Sequence, residues 1–139
     1  MSNGMFHLRD LQTFRASNGT LTVEVENGEP FVPRRAFTVV APAGAVRGQH
    51  AHRECSQFLT VPFGRVLLTV KTPTATREIV LGSADFGLYL PPMVWASQQF
   101  LENNTVLLVF CDMDFAEADY IRAWAEYVSI AGGEGRSEK

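Results

Sequence analysis

Residues 46–58 read VRGQHAHRECSQF. His50 and His52 stand one residue apart, with Arg47 and Gly48 before them and Gln57 after. In a β-strand, side chains at i and i+2 lie on the same face. If this stretch is extended, both imidazoles address one side of a sheet. Paired imidazoles on one face suit either metal ligation or proton transfer near neutral pH. A structural role in a core or on the surface is the plainer alternative. What the chain places around the pair separates these readings.

Outward from the pair, short apolar runs with a period of two recur between turn signals. TLTVEVE at 20–26 alternates, and NGEP at 27–30 ends it. AFTVVA (36–41), SQFLTV (56–61), RVLLTVK (65–71), REIVL (77–81), FGLYL (86–90) and VLLVFC (106–111) read as further strands. Residues 72–76 read as a polar Thr/Pro loop. PPMVW at 91–95 cannot continue a central strand, because proline has no N–H to donate. After Cys111 the period changes. Tyr120, Trp124 and Tyr127 fall at helical spacing, so 114–130 reads as one helix with Asp114 as its N-cap and the aromatic face in the core. The Gly-rich tail AGGEGRSEK (131–139) reads as disordered. Many short strands followed by one helix predict an all-β sandwich or jelly roll, residues 1–130 forming a single domain. A Gly-rich phosphate loop between strand and helix is missing, which leaves Rossmann and P-loop readings without support.

Bulk properties narrow the partners. The chain has 139 residues, 46% hydrophobic and 19% charged, with 12 Lys+Arg scattered through it and a formal net charge of -3. Nucleic acid and anionic membranes are therefore not expected partners. No apolar run approaches the roughly 20 residues of a spanning helix, and MSNGMFHLRDLQTF has no signal-peptide pattern. Cys55 and Cys111 are expected to be free thiols in a reducing cytoplasm.

Gly44, His50, His52, Gln57 and Gly64 stand at the spacing of the first cupin motif, with Gln57 at that motif's acidic position. Trp95 stands where a later strand would bring the third histidine. Two imidazoles, an amide and an indole make a poor donor set for zinc, iron or manganese. The expectation is proton transfer with no metal and no cofactor.

VRGQHAHRECSQF, GLYLPPMVWASQQF and DFAEADYIRAW, in that order, resemble the sugar 3,4-ketoisomerases, the WxcM-like, FdtA-type cupins. The likeness runs from about Gly19 to Val128. It implies a jelly-roll homodimer, without metal, that moves the carbonyl of a dTDP-linked 4-keto-6-deoxyglucose from C4 to C3. The product would feed an aminotransferase supplying surface polysaccharides or antibiotics. It further implies His50 and His52 as base and proton shuttle, with Arg47 stabilising the enediolate oxygen. Substrate contacts would come from Arg35 to the diphosphate, Thr38 and Gln57 near the sugar, and Tyr89 and Trp95 stacking on sugar or thymine. For Tyr89 and Trp95, core packing is the other reading. Thr38 stands where the family commonly has Tyr, Ser56 where a histidine is frequent, and Phe115 where Tyr is frequent. A 3,5-epimerase-like cupin on the same substrate class, and a non-catalytic dTDP-sugar binding module, are the alternatives.

Overall fold

The computed structural model describes residues 5–82 and 86–137. One five-stranded antiparallel sheet has the order β1 (His7–Asp10), β9 (Phe86–Leu90), β6 (Gln57–Phe63), β11 (Thr105–Cys111), β4 (Arg35–Ala41). The second has β12 (Tyr120–Ile121), β5 (Val46–His52), β10 (Trp95–Phe100), β7 (Arg65–Thr72), β8 (Ala75–Gly82). A separate hairpin joins β2 (Gln12–Ala16) to β3 (Gly19–Val23). The helix α1 (Trp124–Ser137) closes the described chain. This is the all-β jelly roll with a C-terminal helix that the sequence predicted.

The two sheets face each other over one core. Leu59 and Val61 of β6 and Leu107 and Val109 of β11 meet Val66, Leu68 and Val70 of β7, all nearly or fully buried. Period-two patterning produces this directly: in β4, Arg35, Phe37 and Val39 turn inward while Ala36, Thr38 and Val40 are exposed. Gly64 turns β6 into β7 at φ +84°, and any Cβ there would collide with Thr105, so only glycine fits. A second apolar cluster lies outside the β5–β10 sheet, where Ala51, Trp95, Ile121 and Tyr127 pack together. Tyr127 is fully buried, and its hydroxyl donates to the carbonyls of Met93 (3.0 Å) and Lys71 (3.3 Å). The ring can therefore be buried with its polar tip satisfied.

Three local expectations need correcting. β7 and β8 extend through the expected 72–76 loop, with Thr72 opposite Ala75, and leave Pro73 and Thr74 as the turn. Strands β1, β2 and β10 were not read from the sequence. The helix does not begin at Asp114. Residues 117–119 form a 3₁₀ turn, Tyr120–Ile121 pairs with β5, and α1 starts at Trp124. Tyr120 mimicked helical spacing but belongs to a strand, because its backbone pairs with His52 and Ile121 is fully buried beside Ala51. The same helix runs through the tail expected to be disordered, as far as Ser137; Glu138 and Lys139 lie outside the described residues.

Candidate active site

The site begins with an irregularity in β5. His50 stands opposite Ala96 and Gly48 opposite Ser97, leaving Gln49 as an extra residue. Gly48 and Gln49 take φ of +84° and +60° to make this bulge. A side chain on Gly48 would press on Gln98 and the Ala96 carbonyl. Bulges re-aim the residues that follow them, and His50 and His52 follow this one.

A cavity of about 380 Å³ opens between the sheets, beside the edge strand β4 of one and the β12–β5 end of the other. β4 lines one wall with Arg35, Phe37 and Val39, and β11 adds Leu107 and Val109. The opposite wall carries Arg47, Gln49 and His50 of β5, Gln98 of β10, Tyr120 of β12, and Arg122. Gln57 of β6 also borders it and donates its amide to the Cys111 Sγ at 3.5 Å.

The imidazoles and one phenol form a single cluster. Ring centroids of His50 and His52 are 4.9 Å apart, and Tyr120 lies 4.9 Å from His50 and 4.4 Å from His52. The Gly48 carbonyl lies 3.1 Å from His50 Nδ1. A carbonyl only accepts, so the proton belongs on Nδ1 and the Nε2 lone pair is free. His52 is buried. Its Nδ1 lies 2.8 Å from Asp119 Oδ2, while Asp119 Oδ1 accepts the Glu54 N–H at 2.7 Å. His52 Nε2 is buried and has no hydrogen-bond partner among the described residues. Both rings therefore hold the same tautomer, each with an unused basic nitrogen.

Burial pushes His50 down to about 4, helped by the His52 charge and Arg122 and opposed by the Gly48 carbonyl. Burial also lowers His52, opposed by its bond and charge attraction to Asp119 and assisted by Arg35 and Arg122. Both are neutral bases near pH 7. An unfolded histidine titrates near 6.5, so between 6.5 and about 4 the unfolded chain binds protons that the folded one refuses. Stability then rises with pH across this window and is lost as pH falls through it. The urea midpoint is expected to drop from pH 6.5 to pH 4, and to drop less in His50→Asn. An identical pH slope in the variant would show that His50 contributes nothing to it.

Three arginines border the cavity. The Arg35 guanidinium lies 4.9 Å from the Phe37 centroid and 5.2 Å from that of Phe115, half-buried between two rings. Arg122 sits 4.2 Å over Tyr120, with Nε and Nη2 donating to the two Glu117 carboxylate oxygens at 3.0 and 3.1 Å. Arg47 is exposed.

Of the residues expected in the site, His50, Arg47, Arg35 and Gln57 line the cavity and His52 lies against His50. Thr38, Tyr89 and Trp95 do not line it. Strand alternation explains the first two: Phe37 points inward, so Thr38 points out, and Tyr89 falls between the inward Leu88 and Leu90. Tyr89 instead packs on His7 and Phe31 and shares a 2.9 Å hydrogen bond with Ser56 Oγ. Trp95 takes the core reading, against Trp124 and Tyr127 of α1. Asp119, Tyr120, Arg122 and Gln98 were not singled out. The signal for the first three was DYIR, already part of the resemblance but assigned to a helix.

His52, Cys55 and Asp119 also form the one group of three potential metal donors among the described residues, their ligand atoms within 4.8 Å of one another. His52 Nδ1 is engaged with Asp119, Asp119 with the Glu54 N–H, and the Cys55 thiol with the Ser56 carbonyl at 3.2 Å, while His52 Nε2 is without a partner among the described residues. Both cysteines are free.

A jelly roll with paired imidazoles at the mouth between its sheets defines a cupin. The chain belongs to the FdtA family, described as WxcM-like, C-terminal, whose model matches residues 5–132. A curated relative from Aneurinibacillus thermoaerophilus, TDP-4-oxo-6-deoxy-alpha-D-glucose-3,4-oxoisomerase, is 30% identical over 113 residues, covering 80% of this chain and 81% of its own. Among solved structures, the sugar 3,4-ketoisomerase QdtA from Thermoanaerobacterium thermosaccharolyticum in complex with TDP superposes at a TM-score of 0.88. It is 28% identical, with 94% of this chain and 97% of that one covered. A histidine-to-asparagine mutant of the same enzyme in complex with TDP-4-keto-6-deoxyglucose gives 0.88 at 27% identity, covering 95% and 97%.

Proposed function

We propose that this chain isomerises a TDP-linked 4-keto-6-deoxyglucose to the 3-ketone by proton transfer through an enediol. The observation that carries this reading is the pair of neutral imidazoles, His50 lining the cavity and His52 buried against it, both held with Nε2 unprotonated. Membership in the family and the substrate class of its relatives support it. The C4 carbonyl acidifies the C3 proton. His50 Nε2 takes it, the C3–H electron pair becomes the C3=C4 bond, and the negative charge moves to O4. The O3 proton ends on O4, C3=O forms, and C4 receives a proton from the imidazole pair. The reaction balances without a co-reactant.

The roles of two arginines are exchanged relative to the sequence reading. Arg35, half-buried and with its charge felt at His52, suits the enediolate oxygen. The exposed Arg47 at the mouth suits the diphosphate. A homodimer is part of the same proposal. The β2–β3 hairpin joins neither large sheet and exposes its cross-strand pair Phe14 (54%) and Leu21 (59%). An isolated two-stranded hairpin is marginal in water, and a second copy would cover it; light scattering returning a monomer mass would overturn this. No described helix is long and apolar enough to cross a membrane, and free thiols suit a reducing cytoplasm. The 3-ketone is a group that an amine-transferring enzyme consumes.

The direct test is incubation of the purified protein with TDP-4-keto-6-deoxyglucose, followed by carbon NMR. A carbonyl resonance moving from C4 to C3 is expected. Binding seen by line broadening, with no new carbonyl, would make the chain a binding module instead.

A further inference from the structure

Behind the imidazole pair lies a donor set of another kind. His52, Cys55 and Asp119 converge with their ligand atoms within 4.8 Å of one another, and each residue is less than a tenth exposed. This is not the cupin metal position, which would gather His50, His52 and Gln57 at the cavity; Cys55 and Asp119 do not line it. Backbone bonds hold the set together. Tyr120 pairs with His52, and the Arg53 N–H donates to the Asp119 carbonyl at 2.8 Å, so the 3₁₀ turn is pinned to the end of β5. The cover is one residue deep: Arg53, Glu54, Glu117 and Ala118 are all exposed. Opening this turn would admit an ion. A carboxylate and a thiolate bring two negative charges and the imidazole none, so together they cancel a divalent ion, as a buried charge requires. Thiolate, imidazole and carboxylate are also the donors zinc takes, and three protein ligands with one open position is a common zinc arrangement. Bonds of about 2.0–2.3 Å set tetrahedral donors roughly 3.5 Å apart, a contraction that side-chain rotation can supply. His52 Nε2, buried and without a partner among the described residues, leaves the ring a free lone pair.

From this convergence we infer that His52, Cys55 and Asp119 form a binding site for a thiophilic divalent ion of the zinc type, and that filling it switches the enzyme off. The site stands on its donors alone; the inhibition rests on the isomerase reading. On binding, the Cys55 S–H bond breaks, its proton leaves to solvent and a sulfur–metal bond forms. If His52 binds through Nε2, its basic lone pair is taken up directly. If it binds through Nδ1, the ring proton moves to Nε2. Either way the ring keeps one proton and loses its free basic nitrogen, so the imidazole pair is reduced to His50.

The probe is cadmium chloride added to the metal-stripped full chain, because a cadmium–thiolate bond has an ultraviolet charge-transfer band. The band is expected to rise and saturate, and turnover of TDP-4-keto-6-deoxyglucose to fall with it by about 100-fold, the contribution of a general acid–base. Zinc chloride is expected to displace the cadmium and inhibit likewise. Cys55→Ala is expected to turn over normally without metal and to bind cadmium at least about 100-fold more weakly, since losing a group that merely orients a ligand already costs about 10–100-fold. Cys55→Ser gives the same reading should alanine fail to fold, and Cys111→Ala, which leaves the set intact, is expected to bind as the wild type does. No band in the wild type, or a band that survives loss of the Cys55 thiol, would overturn the site. A band with undiminished turnover would overturn the switch and leave the site standing. A wild type inactive before cadmium is added would overturn the isomerase reading and the switch, while the band still reports the site.

Discussion

His50→Asn is expected to lower kcat/KM by about 10²–10⁴-fold, the usual contribution of a positioned general acid–base. Asparagine is shorter but polar, and its amide can still donate to the Gly48 carbonyl that His50 Nδ1 faces at 3.1 Å. The titrating lone pair is what disappears. His50 is only half-buried, so the fold is expected to survive, with an unchanged circular dichroism spectrum. Steady-state kinetics on the 4-keto sugar nucleotide measures the effect. A variant within a few-fold of wild type would remove His50 as the base. The acid limb of the wild-type profile belongs near His50's depressed value of about 4, not near 6.5.

Asp119 is the second position with a large expected effect, through two separable consequences. Asp119→Asn replaces the oxygen that fixes His52 Nδ1–H with an amide that can donate to Nδ1. His52 then carries its proton on Nε2, and its basic nitrogen is lost. The equivalent exchange beside a catalytic histidine in serine proteases costs about 10⁴-fold through the wrong tautomer, and a loss of about 10²–10⁴-fold is expected here. Asp119→Ala goes further, leaving the His52 Nδ1–H buried without its acceptor, while the Glu54 N–H of an exposed residue can turn to water. Such an orphan costs about 1–3 kcal/mol, so alanine is expected to lower stability as well as activity. Nitrogen NMR of the histidine rings separates the cases. A positioning role requires the Asn variant to fold normally while the His52 tautomer switches. Equal turnover by the Asn variant and wild type would reduce Asp119 to a structural residue.

These two residues show how unevenly the site was legible. His50 and His52 were visible because a strand's period of two is written into H-x-H, whereas the bulge at Gly48 and Gln49 that aims them was not read from the sequence. Arg35 was visible as a cation in an early strand. Asp119 was hidden because it lies 67 positions from His52 and in a segment whose aromatic spacing imitates a helix. Tyr120 was hidden for the same reason: its period fitted α1, but its backbone hydrogen bonds belong to β5. Thr38 and Tyr89 fell outside the cavity because composition does not say which of two neighbouring residues faces it, and Trp95 took the core alternative against Trp124 and Tyr127. Register decides the facing, and one step moves a side chain through the sheet.

By itself, then, the chain's alternating apolar pattern determined a two-sheet β architecture, and its motif spacing determined where two imidazoles would converge. Both are local properties, set by side-chain period and by glycine's access to positive φ. Only the tertiary structure decided that Asp119 orients His52, that Tyr120 completes the cluster, and that Arg35 is half-buried while Arg47 is exposed. Those depend on which distant strands pair and in what register, and pairing is settled by burying both sheet faces at once rather than by any short stretch of sequence.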